Sequence, residues 1–301
     1  MNHVHDNRGI VTFSGTTNVT GSAVGDGARV YAGVADPRTS DSPERSRTKW
    51  HFGIVTILAK EAKAVLETLS LKEDQANLGS ARFHTGSLDI PGGPANVVAT
   101  RAMGQGQRSV MAALGNLRDH YDPAVLVLVG IGGAIHDDLA VNDVVVATRV
   151  VYYDLRKVLR GKVLRRGEER EAPAAVVHAV NSFFTAHGEP MALRYPGGES
   201  FRVFHGPIGS GEAVVADREH EIRKYLKAFN DKILAVDMEA GGLSQFCHEI
   251  SAKSGAQSRW VVVRGVSDRA DEDKDDERHD SAAVNAAQTL RLLLPQLLPR
   301  G

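Results

Sequence analysis

Short apolar runs alternate with amphipathic stretches from Trp50 to the end of the chain, whereas residues 1–48 lack this alternation. Runs such as 52–58, 124–130 and 260–263 are mostly apolar and rich in branched side chains, which is typical of strands buried on both faces. The stretches between them repeat apolar residues at helical spacing. Buried strands separated by helices predict an α/β domain whose mainly parallel sheet is covered by helices on both faces.

The same pattern predicts individual elements and turns. Predicted strands are 52–58, 96–100, 124–130, 143–148, 150–153, 204–208, 211–215, 233–236 and 260–266. Predicted helices are 60–71, 108–120, 176–187, 218–229, 239–251 and 282–298, the last with Asp280 or Ser281 as its N-cap. Glycines predict turns at 130–134 and 209–211.

Composition divides the chain into three parts. Residues 1–35 are rich in Gly, Thr and Val and form a β-prone segment, 36–49 have the composition of a disordered linker, and 50–301 form the catalytic-looking domain. The first segment is either a disordered tail or a strand-forming adaptor that pairs with like segments of a signalling partner. It resembles the amyloid-like signalling motifs that precede some bacterial immune effector domains.

Overall composition excludes several classes of protein. The 301 residues are 42% hydrophobic and 24% charged, with a formal net charge of −1, so no global field favours nucleic acid or a membrane surface. Cys247 is the single cysteine, so no internal disulfide forms. No apolar stretch reaches the roughly 18 residues that span a bilayer, and the N-terminus lacks a secretory signal pattern. We therefore expect a cytoplasmic location.

Carboxylates stand at the ends of three predicted strands. Glu61 follows 52–58, Asp237 and Glu239 follow 233–236, and Asp268 follows 260–266. Open α/β sheets bind ligands at the carboxyl ends of their strands, so these acids are candidates for acid-assisted bond cleavage. Each acid is equally placed to cap the helix that follows it, and spacing leaves both interpretations open. Arg264 precedes Asp268 within a strand and is expected to pair with a carboxylate.

Common cofactor and nucleophile motifs are not found in the sequence. The glycines at 130–134 would let a ligand approach the backbone, but they do not form a dinucleotide fingerprint. Phosphate-cradling loops, a nucleophile elbow and metal-ligand spacing are also missing. A hydrolase with this sequence would activate water directly, and no metal or organic cofactor is implied.

Seven short motifs occur in a fixed order. They are GIV at 53–55 ahead of Glu61, GIGGA at 130–134, NDVVVA at 142–147, YYD at 152–154, GSGEA at 209–213, DMEA at 237–240 and RGVSD at 264–268. Over about residues 51–298 this set resembles the nucleoside phosphorylase superfamily, and most closely its methylthioadenosine/S-adenosylhomocysteine nucleosidase branch. The resemblance implies a three-layer αβα sandwich with a central mixed, partly barrel-like sheet. It also implies N-glycosidic bond chemistry on purines and a homo-oligomer.

The resemblance implies roles for individual residues. Glu61 would activate the water that attacks the ribose anomeric carbon, and Asp268 would protonate the purine at N7. Glu239 would bind ribose hydroxyls while Met238 packs on the sugar or base. This division suits an oxocarbenium-like transition state, which gains from a nearby carboxylate and a protonated leaving group. Further substrate contacts would come from Gly132, Gly133, Tyr153, Val214 and Val266.

Two departures from the family pattern bear on the reaction. Phosphorylases of the superfamily hold phosphate through an arginine before the glycine motif and a serine inside it, where this chain has Leu128 and Ile131. Apolar side chains favour hydrolysis, although Arg101 or Arg108 could supply the charge. Val214 stands where the nucleosidases usually place an aromatic, so stacking on the base is weaker or comes from Tyr152 or Phe204.

Three functions remain open on these residues. A purine nucleosidase is favoured, a phosphate-dependent phosphorylase is the first alternative, and a catalytically silent nucleotide-sensing or adaptor module is the second. The segment 156–170 holds seven Lys/Arg residues and two acids. It is either a solvated surface loop or a basic lip that takes the phosphates of a nucleotide. Some superfamily members in bacterial defence systems cleave adenine from ATP, and a basic lip would suit that role.

Overall fold

The computed structural model describes residues 48–75, 81–195, 198–213, 220–255, 257–269 and 278–298. Apart from Thr48, these residues belong to one compact unit that starts at Lys49. The predicted segment 1–35, nearly all of the predicted linker 36–49 and the predicted contact residue Val214 lie outside the described residues. These three expectations remain predictions.

Helices and strands alternate through the described unit. The helices are α1 (Ala59–Leu69), α2 (Gln107–Tyr121), α3 (Ala174–His187), α4 (Glu221–Phe229), α5 (Ala240–Ser254) and α6 (Arg278–Leu297). The strands are β1 (Phe52–Thr56), β2 (Lys72–Glu73), β3 (Phe83–Ile90), β4 (Gly93–Arg101), β5 (Val125–Ala134), β6 (Val144–Ala147), β7 (Arg149–Tyr152), β8 (Arg156–Leu159), β9 (Lys162–Arg165), β10 (Glu168–Glu171), β11 (Met191–Leu193), β12 (Phe201–His205), β13 (Ile208–Ser210), β14 (Ala235–Asp237) and β15 (Arg259–Asp268). None of the helices in these ranges is long and apolar enough to cross a membrane.

Strand β5 is the central strand of a thirteen-stranded mixed sheet. One edge of β5 pairs in parallel with β15, which leads on to β6, β12 and β11. The other edge is shared, because β1 pairs with its first half and β14 with its last two residues. From there the sheet continues through β4, β3 and β2 on one side and through β13, β7 and β10 on the other. The sheet is mixed because it contains both parallel pairs, such as β5–β15, and antiparallel pairs, such as β5–β14.

Helices pack on the sheet in two groups. Helices α1 and α3 both pack against α6, while α2 packs against α5. The central strands β5 and β15 are mostly apolar and are almost fully buried. Burial on both faces explains why their sequences lack the alternation of a half-exposed strand. The predicted α/β class with a central mixed sheet and helices on both sides is confirmed.

Both predicted glycine turns are wrong. Residues 130–134 continue strand β5, and Gly209 and Ser210 belong to strand β13. The glycines serve close packing instead, because a Cβ on Gly132 would lie 2.8 Å from the carbonyl oxygen of Val236, and one on Gly209 would lie 2.6 Å from Leu226. Glycine in a strand interior often marks such an approach of another chain segment.

Two further differences concern local boundaries. Helix α6 begins at Arg278, so Asp280 and Ser281 lie in its first turn and not at its N-cap. The basic segment is not a loop, because β8 and β9 form an antiparallel hairpin outside the main sheet and β10 joins the edge of the sheet through β7. The apolar residues that stand between its charged residues were the sequence feature that could have predicted these strands.

Candidate active site

One cavity of about 140 Å³ opens beside the carboxyl ends of β5, β14 and β15 and the start of α1. Six of the predicted site residues line it: Glu61, Gly132, Gly133, Met238, Glu239 and Asp268. The other described residues in its wall are Ile57, Leu58, Gln105, Ile131, Ala213, Val236, Asp237, Ser267 and His279. The three strand ends that carried acids in the sequence therefore meet at one place.

Glu61 reaches the sheet through a gap in strand pairing. On the shared edge of β5, β1 stops at Leu128 and β14 starts at Gly133, so the backbone between them has no strand partner on that side. The N–H of Ile131 lies in this gap and donates to Glu61 Oε1 at 2.9 Å. The carboxylate thus completes the hydrogen bonding of β5 where the sheet divides.

The second oxygen of Glu61 holds the start of α1. Glu61 Oε2 accepts from the N–H groups of Ile57 (2.8 Å) and Leu58 (2.7 Å), and the side chain is buried. Helix starts leave such N–H groups without partners, so the capping interpretation is correct for Glu61. An ionised carboxylate offers about four acceptor positions, of which these bonds use three. One position, on Oε1, remains for a further donor.

Arg264 is the centre of a buried ion cluster. Its Nε and Nη2 donate to Asp237 Oδ2 at 2.9 and 2.6 Å, and Nη2 also donates to Glu239 Oε2 at 3.0 Å. Arg264 is 1% exposed, and both carboxylates are buried. Burial alone would lower the pKa of Arg264, but Asp237, Glu239 and Glu61 outweigh it and keep the pKa above the ordinary value. The expectation that Arg264 pairs with a carboxylate is confirmed.

The cluster and Glu61 meet across Gly130. A Cβ built on Gly130 would overlap Arg264 Nη1 and would lie 2.5 Å from Glu61 Oε1. Nη1 is buried, and it has no hydrogen-bond partner among the described residues. Glycine is therefore required at position 130 for the Arg264 guanidinium to lie beside the catalytic candidate Glu61.

Glu239 is fixed at the start of α5. Its Oε1 accepts from the N–H of Gly106 at 3.0 Å, while Oε2 faces Arg264. Burial raises the pKa of Glu239; Arg264 opposes this shift and Asp237 reinforces it. Asp237 accepts from the N–H of Ala240 at 3.1 Å, so it caps α5, as the structural interpretation of this acid expects.

Asp268 enters the cavity at an irregularity in β15. The register between β15 and β5 shifts between Val266 and Asp268, as in a β-bulge. Bulges often redirect a side chain at the edge of a site. Ser267 Oγ donates to Asp268 Oδ2 at 2.9 Å, which fixes the orientation of the carboxylate. Ser267 was not among the predicted site residues, although it stands inside the RGVSD motif.

Sequence reasoning missed two further residues of the wall. Gln105 lies between two glycines in the segment that leads into α2, a signal that was interpreted only as a helix entry. His279 comes from the first turn of α6. It is eleven residues beyond Asp268, and only the position of α6 against the sheet brings it to the cavity.

Two predicted contact residues lie behind the cavity wall. Tyr153 is fully buried, and its hydroxyl donates to the carbonyl oxygen of Ala213, a wall residue, at 3.4 Å. Val266 is also fully buried, and it pairs with Gly132 in the sheet. Direct contact of either with a substrate stays a prediction. Within the described ranges, no group of three or more His, Cys, Asp or Glu side chains is arranged to hold a metal ion.

This combination of fold and site agrees with comparisons to known proteins. Residues 51–298 match the family model of the phosphorylase superfamily, which is more than half of the chain. The chain therefore belongs to the phosphorylase superfamily, and the family resemblance drawn from the seven motifs is confirmed.

Relatives within this family are nucleosidases. The chain is 27% identical over 248 residues to a 5′-methylthioadenosine/S-adenosylhomocysteine nucleosidase from Actinobacillus succinogenes, a match that covers 82% of this chain and 97% of the relative. It is 24% identical over 254 residues to ATP nucleosidase Cap17 from Escherichia coli, covering 78% of this chain. The match spans only about half of Cap17, 49% of its length.

A solved structure supports the fold. A 5′-methylthioadenosine/S-adenosylhomocysteine nucleosidase from Colwellia psychrerythraea, in complex with adenine, superimposes with a TM-score of 0.64 at 23% identity. The match covers 83% of this chain and 96% of that one. The relatives named above are N-glycosyl hydrolases, which supports the prediction that this chain is a hydrolytic nucleosidase.

Proposed function

We propose that the chain hydrolyses the N-glycosidic bond of a purine nucleoside or nucleotide and releases the free base. The observation that carries this proposal is the meeting of Glu61, Glu239 and Asp268 in one cavity, each carboxylate held by different partners. A glycoside can be cleaved when an acid assists the leaving group and a second carboxylate activates water. The three acids supply these two roles and one to bind the sugar.

Glu61 is the proposed base. Its remaining acceptor position lies on Oε1, and both this oxygen and Arg264 Nη1 border the space where a Cβ on Gly130 would lie. A water held by Glu61 Oε1 would also suit Nη1, whose hydrogens have no other acceptor among the described residues. Such a water would be oriented by both groups, and Glu61 would take its proton during attack on the anomeric carbon.

Asp268 is the proposed acid. It lines the same cavity as Glu61, and Ser267 Oγ donates to its Oδ2. In the proposed reaction the Asp268 carboxyl shares its proton with N7 of a purine. Protonation of the base makes it a better leaving group, which is the assistance that an oxocarbenium-like transition state requires.

Glu239 and Met238 are the proposed sugar contacts. Glu239 keeps one oxygen on Gly106 N–H and the other on Arg264, which leaves further acceptor positions for ribose hydroxyls. Met238 lines the same wall, where a thioether packs well on a sugar or base. Gly132 and Gly133 offer backbone without side-chain bulk beside it.

Hydrolysis is proposed rather than phosphorolysis. Ile131 faces the cavity and Leu128 is fully buried in β5, so neither of these two positions provides a charge or hydroxyl for a phosphate. The nearest buried cation, Arg264, is already paired with two carboxylates. A phosphate dianion beside these acids would be repelled, whereas neutral water would not.

The substrate is proposed at the level of its class. Methylthioadenosine or S-adenosylhomocysteine and ATP are the candidates suggested by the relatives, and free purine nucleosides are a third. A homo-oligomer, and a signalling partner for residues 1–35, are proposed from the family resemblance and from composition. Neither proposal enters the chemistry described above.

The test measures free base by chromatography. The purified chain is incubated with adenosine, methylthioadenosine, S-adenosylhomocysteine, inosine, guanosine, AMP and ATP, each with and without inorganic phosphate. We expect phosphate-independent base release from at least one, and its loss by more than a hundredfold in Glu61→Gln and in Asp268→Asn, as for removal of a general acid or base. Phosphate-dependent release would establish the phosphorylase, and no release would support the silent module.

A further inference from the structure

A buried amide joins two helices beside Glu239. Gln107 is the first residue of α2, and Ser210 is the last residue of β13; both side chains are buried. Gln107 Nε2 donates to Ser210 Oγ at 3.0 Å and to the carbonyl oxygen of Gly211 at 3.2 Å. Gln107 Oε1 accepts from the N–H of Gly242 in the first turn of α5. One side chain thus links α2, β13 and α5.

Ser210 adds a second link to the same turn. The N–H of Gly241, which the helix start leaves without a backbone partner, donates to Ser210 Oγ at 2.9 Å. The N–H of Gly242 is shared between Gln107 Oε1 and the carbonyl oxygen of Glu239. Side chains are excluded from this contact, because a Cβ on Gly242 would lie 2.7 Å from the carbonyl oxygen of Gln107. We call Gln107, Ser210, Gly241 and Gly242 the clasp.

The clasp holds both the helix start that carries Glu239 and the segment whose N–H binds the Glu239 carboxylate. Glu239 directly precedes α5, whose first turn the clasp holds. The N–H that binds Glu239 Oε1 belongs to Gly106, the residue directly before Gln107. The donor and the carboxylate therefore keep their 3.0 Å separation only while α2 and α5 stay in this register. The clasp is a polar contact between the two helix starts that holds this register.

We propose that Gln107 is a positioning residue that orients Glu239 toward the ribose hydroxyls, and that it thereby sets the preference for ribosyl over 2′-deoxyribosyl substrates. The inference rests on the proposed function, in which Glu239 binds these hydroxyls. Hydrogen bonds to a carboxylate are strong but weaken steeply once the donor angle falls below about 120°, so a rotation that misaligns Glu239 reduces the gain from a hydroxyl. Release of the clasp permits such a rotation.

The test compares Gln107→Met with wild type on a substrate pair. Methionine keeps the length of the side chain and removes its amide. Base release is followed from adenosine and 2′-deoxyadenosine, and from ATP and 2′-deoxy-ATP where the nucleotide is the better substrate. We expect the ratio of kcat/KM for the ribosyl over the deoxyribosyl substrate to fall about tenfold, the effect of losing a hydrogen bond to a charged group. A role confined to stability would lower both rates and leave the ratio unchanged, which would overturn the proposal.

The matched control is Gln245→Met, the same change at a half-buried position of α5, where the amide makes a solvent-exposed bond to Glu249 at 2.7 Å. It should leave the ratio unchanged. Ser210→Ala cuts the second link and should move the ratio in the same direction as Gln107→Met. If the Gln107→Met variant does not fold, Ser210→Ala replaces it in the test. An unchanged ratio in Ser210→Ala would then overturn the proposal.

A double-mutant cycle separates this inference from the proposed function. In a Glu239→Gln background, Gln107→Met should have no further effect on the ratio, because the group that Gln107 positions is already changed. No base release by the wild type would overturn the proposed function and this inference together. If Glu239→Gln leaves the ratio unchanged, the proposed role of Glu239 is wrong. A ratio that responds to Glu239→Gln but to neither clasp variant would overturn the clasp alone.

Discussion

Charged side chains gather in two regions of this molecule that differ in burial and in pairing. The ion cluster at the cavity consists of Arg264, Asp237 and Glu239, and every member is buried. The hairpin β8–β9 with its flanking residues carries six Lys/Arg side chains between positions 156 and 166 and no acid. Its backbone stands apart from the main sheet, and Val158 at its centre is 70% exposed.

Pairing follows burial in both regions. Arg264 bonds to two carboxylates, as a buried cation must if it is to remain charged. In the hairpin, Arg165 pairs with Glu221 at 2.5 Å and has Asp154 within 3.7 Å, and Arg156 lies 3.9 Å from Asp154. Within the described part of the chain, no ion pair forms at Lys157, Arg160, Lys162 or Arg166. Water solvates these cations, so they contribute little to stability and stay available to an anion.

The largest expected effect comes from removing the central guanidinium. Arg264→Met leaves Asp237 and Glu239 buried without a counter-ion, which should lower the free energy of unfolding by about 3–5 kcal/mol. Arg160→Met makes the same change on the exposed hairpin and should alter it by less than about 0.5 kcal/mol. Urea unfolding of both variants measures the difference. Equal stability of the two would mean that burial does not distinguish the two regions.

A smaller effect is expected from one added methyl group. Gly130→Ala places a Cβ against Arg264 Nη1 and 2.5 Å from Glu61 Oε1, so the cluster and the proposed base must move apart. We expect a loss of about 1–3 kcal/mol in the free energy of unfolding, the usual cost of overpacking, together with loss of base release.

The control for Gly130→Ala is Gly115→Ala in α2, where an added Cβ meets nothing within 4 Å. Because alanine is the better helix former, this change should stabilise the chain by about 0.5–1 kcal/mol and leave base release intact. Thermal unfolding and the base-release assay report both variants. Wild-type behaviour of Gly130→Ala would show that the glycine is not needed for the approach of Arg264 to Glu61.

The buried cluster should also be visible in the pH dependence of activity. Burial raises the pKa of Glu239, so protonation begins at a higher pH than for an ordinary glutamate. As the pH falls through this raised pKa, Glu239 loses its charge and binds ribose hydroxyls less well, so kcat/KM should fall. The folded state takes up this proton more readily than the unfolded chain. The contribution of Glu239 to stability is therefore present below its unfolded pKa and lost as the pH rises through the folded one.

A pH profile of kcat/KM for wild type and Glu239→Gln makes this measurable. The acid limb of the wild type should lie above the ordinary glutamate range, and in Glu239→Gln it should move to lower pH. An acid limb that is the same in both proteins would assign that titration to another group.

The apolar pattern predicted the sheet better than the site. Strands β1, β5 and β15 are buried on both faces, so their sequences are mostly apolar, a pattern that is visible in a single sequence. The acids that follow strands were found because strand ends converge in an α/β sheet. Ser267 was missed because its orientation depends on the register shift before Asp268, which no local pattern encodes.

Glycine and charge were harder to interpret in isolation. Gly130 and Gly132 suggested a turn, yet each allows close contact between a strand and a group that is distant in sequence: Arg264 in one case and the Val236 backbone in the other. Glu61 carried two interpretations, a helix cap and a catalytic base. Its geometry satisfies the first and leaves an acceptor position for the second. Local sequence does not separate a capping role from a proposed catalytic one at the same side chain.

The smallest effect on stability, and the sharpest test of the hairpin, is the replacement of Lys157, Arg160, Lys162 and Arg166 by glutamine. Stability should change by less than about 1 kcal/mol, because these cations are solvated and have no ion pair within the described residues. If the hairpin is the basic lip predicted from the sequence, the KM for ATP at low salt should rise about tenfold, while turnover of adenosine is unaffected.

Added salt should shrink this difference between the wild type and the glutamine variant, because exposed charges are screened over about 10 Å at 0.1 M ionic strength. An unchanged KM for ATP at every salt concentration would leave the hairpin as a solvated surface element. The buried cluster and the hairpin would then differ only in their contribution to stability. A selective loss on ATP would mean that the paired, buried charges hold the sugar and base, while the exposed cations on the hairpin hold the phosphates.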